Sequence, residues 1–129
     1  WISWSYYSIK SFIKVPLQNS GESFIEWRSP DPSCNPYLTI AAAVKAGMAG
    51  INEGINPPEP NEDNITENGE FQLPKNLEHA LMLLKSDQYL RSVLGEHLVE
   101  SYFNIKIQEW NSYSKEVHQW EIENYLHKF

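Results

Sequence analysis

Cysteine, basic residues and long apolar runs are all scarce in this 129-residue chain. Its single cysteine, Cys34, excludes an internal disulfide framework and favours a reducing compartment. A formal net charge of -7 argues against a nucleic-acid partner, because neutralising phosphates requires a basic surface. No stretch approaches the ~18 apolar residues that a membrane-spanning helix needs. These absences predict a cytoplasmic protein that binds neither nucleic acid nor membrane.

Common signatures of phosphate and metal sites are also missing. No glycine-rich phosphate loop is present. His97 lies in a predicted helix without a second histidine at i+4, so it does not make a zinc motif. An acidic cluster of four residues within the segment 52–76 matches no calcium-loop spacing and is interpreted as a solvated surface. They are Glu59, Glu62, Asp63 and Glu67.

Strand signals come first along the chain and helix signals follow. Aromatic and β-branched residues fill the start of the sequence, whereas later segments have apolar residues at helical spacing. The predicted segments are strands over 1–28, a helix over 35–51, a loop over 52–76, helices over 77–117 and a C-terminal tail over 118–129. This order predicts an α+β fold, with a few antiparallel strands at the N-terminus and a helical C-terminal half.

Helix boundaries are marked by capping residues. Asn35 followed by Pro36 is a typical N-cap and first turn, and Asn76 and Asp87 are predicted N-caps of later helices. Gly95 should end one helix, and the next should run to about Val117. Alanines in the helix over 35–51 favour close packing under a sheet.

Two opposite charges lie near the end of the third predicted strand. Because side chains alternate along a strand, Phe24, Glu26 and Arg28 should share one face. Glu26 and Arg28 would then lie roughly 6.5 Å apart along the strand. They would either grip a small zwitterionic or phosphorylated ligand or form an ordinary exposed salt bridge. Spacing alone favours the salt bridge, because such pairs are common and weak.

The same strand opens a longer motif that has a familiar pattern. The segments concerned are Ile2-Ser-Trp-Ser5, Ile13-Lys-Val-Pro16, Glu26-Trp-Arg-Ser-Pro-Asp-Pro-Ser-Cys-Asn-Pro-Tyr37, Ala46-Gly-Met-Ala-Gly-Ile51 and Trp120-Glu-x-x-x-Tyr125. Together they resemble the C-terminal part of the type I glutamine synthetase catalytic domain, in order and over essentially the whole chain. The first residue is Trp1, inside a predicted strand, which favours a piece of a longer protein.

This resemblance implies an ATP-dependent glutamate–ammonia ligase, with glutamate, ammonia and ATP as substrates. Glutamate would be phosphorylated on its γ-carboxylate before ammonia displaces the phosphate. By the same resemblance, Glu26 is a metal ligand for Mg²⁺ or Mn²⁺, and Arg28 is a catalytic residue that contacts glutamate and the transferring phosphoryl group. Lys14, in place of a family arginine, is the expected nucleotide or phosphate contact.

Some positions depart from the family pattern. Ile9 occupies the place of a phosphate-contacting arginine, Lys14 lacks an arginine's bidentate fork, and Phe24 replaces a commonly basic residue. These changes leave two alternatives to glutamine synthesis. One is a catalytically degenerate relative with an oligomerisation or regulatory role, and the other is a ligase that joins glutamate to a different amine.

The resemblance also implies a homo-oligomeric ring. A C-terminal tail would grip a neighbouring subunit, with Trp120, Tyr125 and Phe129 as its anchors. Most of the family active site is absent from these residues, so the isolated chain is predicted to be inactive.

Overall fold

The computed structural model describes residues 2–17, 24–62, 72–126 and 128. The chain divides into two compact units, residues 1–73 and residues 74–129. The predicted turn over 19–21, the loop residues 63–71 and the tail residue Phe129 lie outside the described residues.

The first unit contains a small sheet, and this sheet is the scaffold of the candidate site. Its described strands are β1 (Trp4–Ser5), β2 (Ile13–Lys14) and β3 (Glu26–Trp27), in the spatial order β1-β2-β3. Strand β2 pairs antiparallel with β3, but β1 pairs parallel with β2. The α+β class is confirmed, whereas the predicted antiparallel arrangement is wrong for the first pair.

Parallel pairing of β1 with β2 depends on the connection between them, residues 6–12, which we call the return loop. Parallel strands are normally joined by a crossover of a dozen or more residues, and the return loop is shorter and contains no helix. Buried serines close it: the hydroxyls of Ser5 and Ser11 lie 2.8 Å apart, and Ser11 donates to the Ser8 carbonyl at 3.0 Å. Side-chain hydrogen bonds within the return loop therefore add to the backbone pairing of the two strands.

Helix α1 (Pro36–Asn52) follows the sheet along the chain. Its start is set locally, because Asn35 Oδ1 accepts hydrogen bonds from the backbone N–H groups of Tyr37 at 3.0 Å and Leu38 at 3.3 Å. No described strand of this unit packs against α1. Its apolar residues at helical spacing are exposed instead, among them Ile40, Val44 and Met48.

The segment after α1 has no helix or strand over 53–62, and it runs back to the sheet. The backbone N–H of Asn61 donates to the Trp4 carbonyl at 2.8 Å. The indole N–H of Trp4 donates in turn to the Pro58 carbonyl at 2.6 Å. Part of the predicted loop over 52–76 is therefore bound to β1 rather than projecting into solvent.

The second unit is helical in its described residues. Its elements are α2 (Leu77–Ser86), α3 (Gln88–Leu94), α4 (Glu96–Tyr113) and α5 (Gln119–Tyr125). Asn76 caps α2 and Asp87 caps α3 by accepting N–H bonds at 2.8 and 2.9 Å, and Gly95 separates α3 from α4 with φ of 86°. Helices α2, α3 and α4 pack together around Leu81 and Val99, which are 2% and 1% exposed.

Helix α4 ends at Tyr113, before the predicted end near Val117. The chain then turns more tightly, through backbone hydrogen bonds between residues three apart. The N–H of Lys115 donates to the Ser112 carbonyl at 3.2 Å, and that of Glu116 donates to the Tyr113 carbonyl at 3.1 Å. The Tyr113 and His118 rings then pack with their centroids 4.6 Å apart. Among the described residues, no helix has the length and apolar character needed to cross a membrane.

Candidate active site

Glu26 and Arg28 meet at the end of β3. The backbone N–H of Arg28 donates to the Phe12 carbonyl at 3.0 Å, which holds the residue beside the return loop. Its side-chain Nε donates to Glu26 Oε1 at 2.8 Å, with the two side chains 27% and 45% exposed. The guanidinium Nη1 also donates to the Ile9 carbonyl. Arg28 therefore joins β3 to the return loop through one side chain.

An open pocket of about 260 Å³ lies beside Arg28. It is lined by Ile9, Lys10, Ser11, Phe12, Arg28, Ser29 and Leu73. Among the described residues that line it, two are basic and none is acidic. A pocket with this lining suits a small anionic group such as a carboxylate or phosphate, because the arginine fork matches both geometries.

Lys14 lies on β2 directly opposite Glu26. Side chains of directly opposed residues project from the same face of a sheet, so Lys14 is on the face of Glu26 and Arg28. Lys14 is not among the pocket-lining residues, whereas Lys10 is. Lys10 was not predicted as a site residue. The only feature of the sequence that could have pointed to it is its position next to Ile9, where a basic side chain was expected.

Of the residues that depart from the family pattern, Ile9 has an unexpected part in the site. Its side chain lines the pocket, and its backbone carbonyl accepts from Arg28. The carbonyl belongs to the backbone, so this contact with Arg28 does not depend on which side chain stands at position 9. Phe24 is about half exposed at the start of the described β3 segment and does not line the pocket.

Glu62 is exposed, as expected for part of a solvated acidic surface, but its carboxylate also binds backbone N–H groups. Its Oε1 accepts from the backbone N–H of Tyr6 at 2.6 Å, and its Oε2 accepts from those of Tyr7 at 3.0 Å and Ser8 at 3.3 Å. Desolvation raises the pKa of Glu62, but these N–H groups stabilise the carboxylate, and the net pKa is below its ordinary value. The carboxylate is thus a structural ligand of the return loop.

The turn between β3 and α1 is fixed by another carboxylate. Asp31 Oδ1 accepts from both the hydroxyl and the backbone N–H of Ser33, each at 2.7 Å. These hydrogen bonds hold the pKa of Asp31 below its ordinary value. The turn places Asn35 to cap α1 soon after β3 has presented Arg28.

The described residues do not form a complete metal site. They contain no group of three or more His, Cys, Asp or Glu side chains placed to hold a metal ion. Glu26 offers a carboxylate, one oxygen of which already accepts from Arg28. Mg²⁺ prefers octahedral oxygen coordination, so any such ion at Glu26 would require ligands from outside this set.

At the other end of the chain, aromatic side chains are exposed. The Trp120 and Tyr125 rings pack edge to face with centroids 5.7 Å apart, and the side chains are 62% and 48% exposed. They form an accessible apolar surface on α5.

Comparison with known proteins gives a consistent result. The sequence model of the family described as "Glutamine synthetase, catalytic domain" matches residues 1–125. The chain is 37% identical to a glutamine synthetase of Clostridium saccharobutylicum over 137 aligned positions, which cover 100% of this chain and 31% of that protein. Identity to the glutamine synthetase of Methanosarcina mazei is 38%, covering 98% of this chain and 30% of that protein.

The glutamine synthetase of Thermotoga maritima is also 38% identical, with 98% of this chain and 31% of that protein aligned. The chain therefore spans about three-tenths of the length of the curated relatives it matches. The family match covers almost all of the chain, including the β3 motif that holds Glu26 and Arg28. This chain belongs to the glutamine synthetase catalytic-domain family.

Proposed function

We propose that this chain supplies part of the active site of an ATP-dependent glutamate–ammonia ligase that forms glutamine through γ-glutamyl phosphate. The observation that carries the proposal is the basic pocket beside Arg28 in a chain that belongs to this family. Such a pocket suits an anionic substrate and an anionic intermediate equally well.

Arg28 binds the substrate and stabilises the transferring phosphoryl group. Its guanidinium is permanently charged and planar, and it lies in the pocket wall with Lys10. Negative charge on the equatorial phosphoryl oxygens is what donors of this kind stabilise in phosphoryl transfer. Lys14, on the same sheet face as Glu26, contacts a nucleotide or product phosphate as a point charge.

Glu26 contributes one carboxylate to a Mg²⁺ or Mn²⁺ site. A hard cation accepts oxygen ligands of this type and neutralises phosphate charge when bound. The remaining ligands come from residues beyond those described, because the described residues gather no cluster of three such side chains. Glu26 is also the ion-pair partner of Arg28, at 2.8 Å.

The isolated chain is inactive because it holds only part of this site. The curated relatives that it matches are about three times as long. The test compares the 129-residue chain with the longer protein that contains it, using glutamate, ATP, Mg²⁺ and ammonia. Glutamine formation is expected from the longer protein alone. Formation by the isolated chain refutes the claim of inactivity, and failure of the longer protein with ammonia refutes the main proposal.

A second candidate rests on the pocket wall. Ile9 presents an apolar side chain to the pocket, which favours either another amine acceptor or a relative that no longer catalyses the reaction. The longer protein should therefore be assayed with a series of primary amines as well as ammonia. Preference for an amine identifies a γ-glutamyl–amine ligase, and inactivity with every acceptor identifies a non-catalytic role.

Assembly into a cytoplasmic homo-oligomeric ring is the last part of the proposal. Trp120 and Tyr125 are exposed on α5 and are available as anchors for a neighbouring subunit, and Phe129 lies outside the described residues. Truncation after Val117 is expected to reduce the mass of the assembly, as measured by light scattering. An unchanged mass would show that the tail does not hold the subunits together.

A further inference from the structure

The return loop is held by one distant carboxylate. Glu62 lies more than fifty residues along the chain from Tyr6, Tyr7 and Ser8, yet it accepts a hydrogen bond from the backbone N–H of each. Both carboxylate oxygens are used, Oε1 by Tyr6 and Oε2 by Tyr7 and Ser8. Consecutive N–H groups that converge on one anion form a geometry that favours a full negative charge.

The same loop leads directly to Arg28. Ser8 carries the last of the three N–H groups, and its carbonyl accepts from the buried Ser11 hydroxyl at 3.0 Å. The next residue, Ile9, turns its carbonyl toward the Arg28 guanidinium. A displacement of Tyr6–Ser8 would therefore move the carbonyl that orients Arg28.

We propose that Glu62 is a positioning residue for Arg28, acting through the return loop. Its carboxylate fixes the backbone over Tyr6–Ser8, and this fixes the Ile9 carbonyl against the guanidinium. Glu62 is not among the residues that line the pocket, so its effect on ligands is indirect. The role given to Arg28 rests on the proposed function, whereas the hold of Glu62 on the loop does not.

Glu62→Gln is the informative variant. Glutamine keeps one side-chain oxygen and replaces the other with an NH₂ group. An NH₂ group cannot accept these hydrogen bonds, so at least one backbone N–H group would lose its acceptor. Glu62→Asp keeps both oxygens and the charge on a side chain shorter by one carbon, and it should restore part of the effect. Glu59→Gln is the matched control, because it removes the same charge from the same segment, three residues away.

The experiment uses the longer protein that contains this chain and combines hydrogen exchange with steady-state kinetics. In Glu62→Gln, the amides of Tyr6, Tyr7 and Ser8 should exchange faster. The value of kcat/KM for glutamate should fall by about 10- to 100-fold, because small displacements of a positioning group have effects of this size. Glu62→Asp should give an exchange rate and a kcat/KM between those of Glu62→Gln and the unmodified protein. Glu59→Gln should match the unmodified protein in both measurements.

Other results overturn the inference. Unchanged exchange at Tyr6–Ser8 shows that Glu62 does not hold the loop, and faster exchange with unchanged kinetics shows that the loop does not position Arg28. If the unmodified protein forms no glutamine, the proposed function and the positioning role in that reaction both fail. Hydrogen exchange still decides, in that case, whether Glu62 holds the loop. If Glu62→Gln does not fold, Glu62→Asp and Glu59→Gln make the same comparison.

Discussion

Replacing Arg28 by lysine should separate folding from catalysis. The substitution keeps the positive charge but removes the planar fork with which Arg28 contacts both Glu26 and the Ile9 carbonyl. A lysine ammonium has three donors but no rigid planar fork, so it does not hold both partners in fixed directions. The pocket would remain basic, but its donors would no longer be fixed in direction.

The cost to stability is small. The two side chains of the ion pair are 27% and 45% exposed, and a pair as accessible as this contributes only ~0.2–1 kcal/mol after solvent screening. Losing an oriented donor to a developing anion in an active site costs far more, roughly 10²–10³-fold in rate. Arg28→Lys should therefore lower the free energy of unfolding by about 1 kcal/mol or less and, under the proposed function, almost abolish glutamine formation.

The assay pairs urea unfolding with kcat/KM for glutamate, both on the longer protein. Arg91→Lys is the control, because Arg91 also pairs with carboxylates, those of Glu96 and Glu100, and also donates to a backbone carbonyl, that of Lys85. Arg91→Lys should leave kcat/KM unchanged. Comparable activity of Arg28→Lys, or a loss of activity matched by a large loss of stability, would refute the catalytic role.

Further predictions concern other parts of the fold. Leu81→Ala in the α2–α4 core should destabilise the protein by about 2–5 kcal/mol in urea unfolding, and a smaller effect would mean that the site collapses around the cavity. Asn76→Ala should remove the cap of α2 at a cost of about 1 kcal/mol, and unchanged stability would contradict its capping role. Val44→Lys should reduce binding of the dye ANS by the isolated chain without lowering its helicity, because Val44 is exposed on α1; unchanged dye binding would place the accessible apolar surface elsewhere. An NMR titration of the Asp31 carboxyl carbon should give a midpoint below 3.8, because the Ser33 hydrogen bonds stabilise the carboxylate. The stability that this turn contributes is then complete above the unfolded-state pKa, and it is lost as the pH falls through the lower folded-state pKa. A midpoint at or above 3.8 would contradict the Ser33 hydrogen bonds.

Local interactions were predictable from the sequence. Asn35, Asn76 and Asp87 each cap a helix by accepting from an N–H group two or three residues ahead, so the required information lies within one turn. The sharing of a strand face by Glu26 and Arg28 is equally local, since it follows from alternation along β3.

Long-range interactions were not predictable in the same way. Nothing near Glu62 in sequence indicates that its exposed carboxylate also accepts from the backbone of Tyr6, Tyr7 and Ser8. The parallel pairing of β1 with β2 occurs together with this contact and with the hydrogen bond between the buried Ser5 and Ser11 hydroxyls. The spacing of residues along the chain predicts which side chains share a face of one helix or strand, but it does not predict which loops contact each other.

The length and composition of helix α1 determine how strongly its own residues favour the helix over the unfolded coil. It is 17 residues long, only slightly beyond the length at which isolated helices are marginal in water. It carries Gly47 and Gly50, where an added Cβ would meet nothing within 4 Å, so each gives up about 1 kcal/mol of helix propensity relative to alanine. No described strand of its unit packs against α1, so the helix–coil equilibrium of α1 receives no help from the described sheet. Any surface that binds only its helical form would shift that equilibrium by mass action.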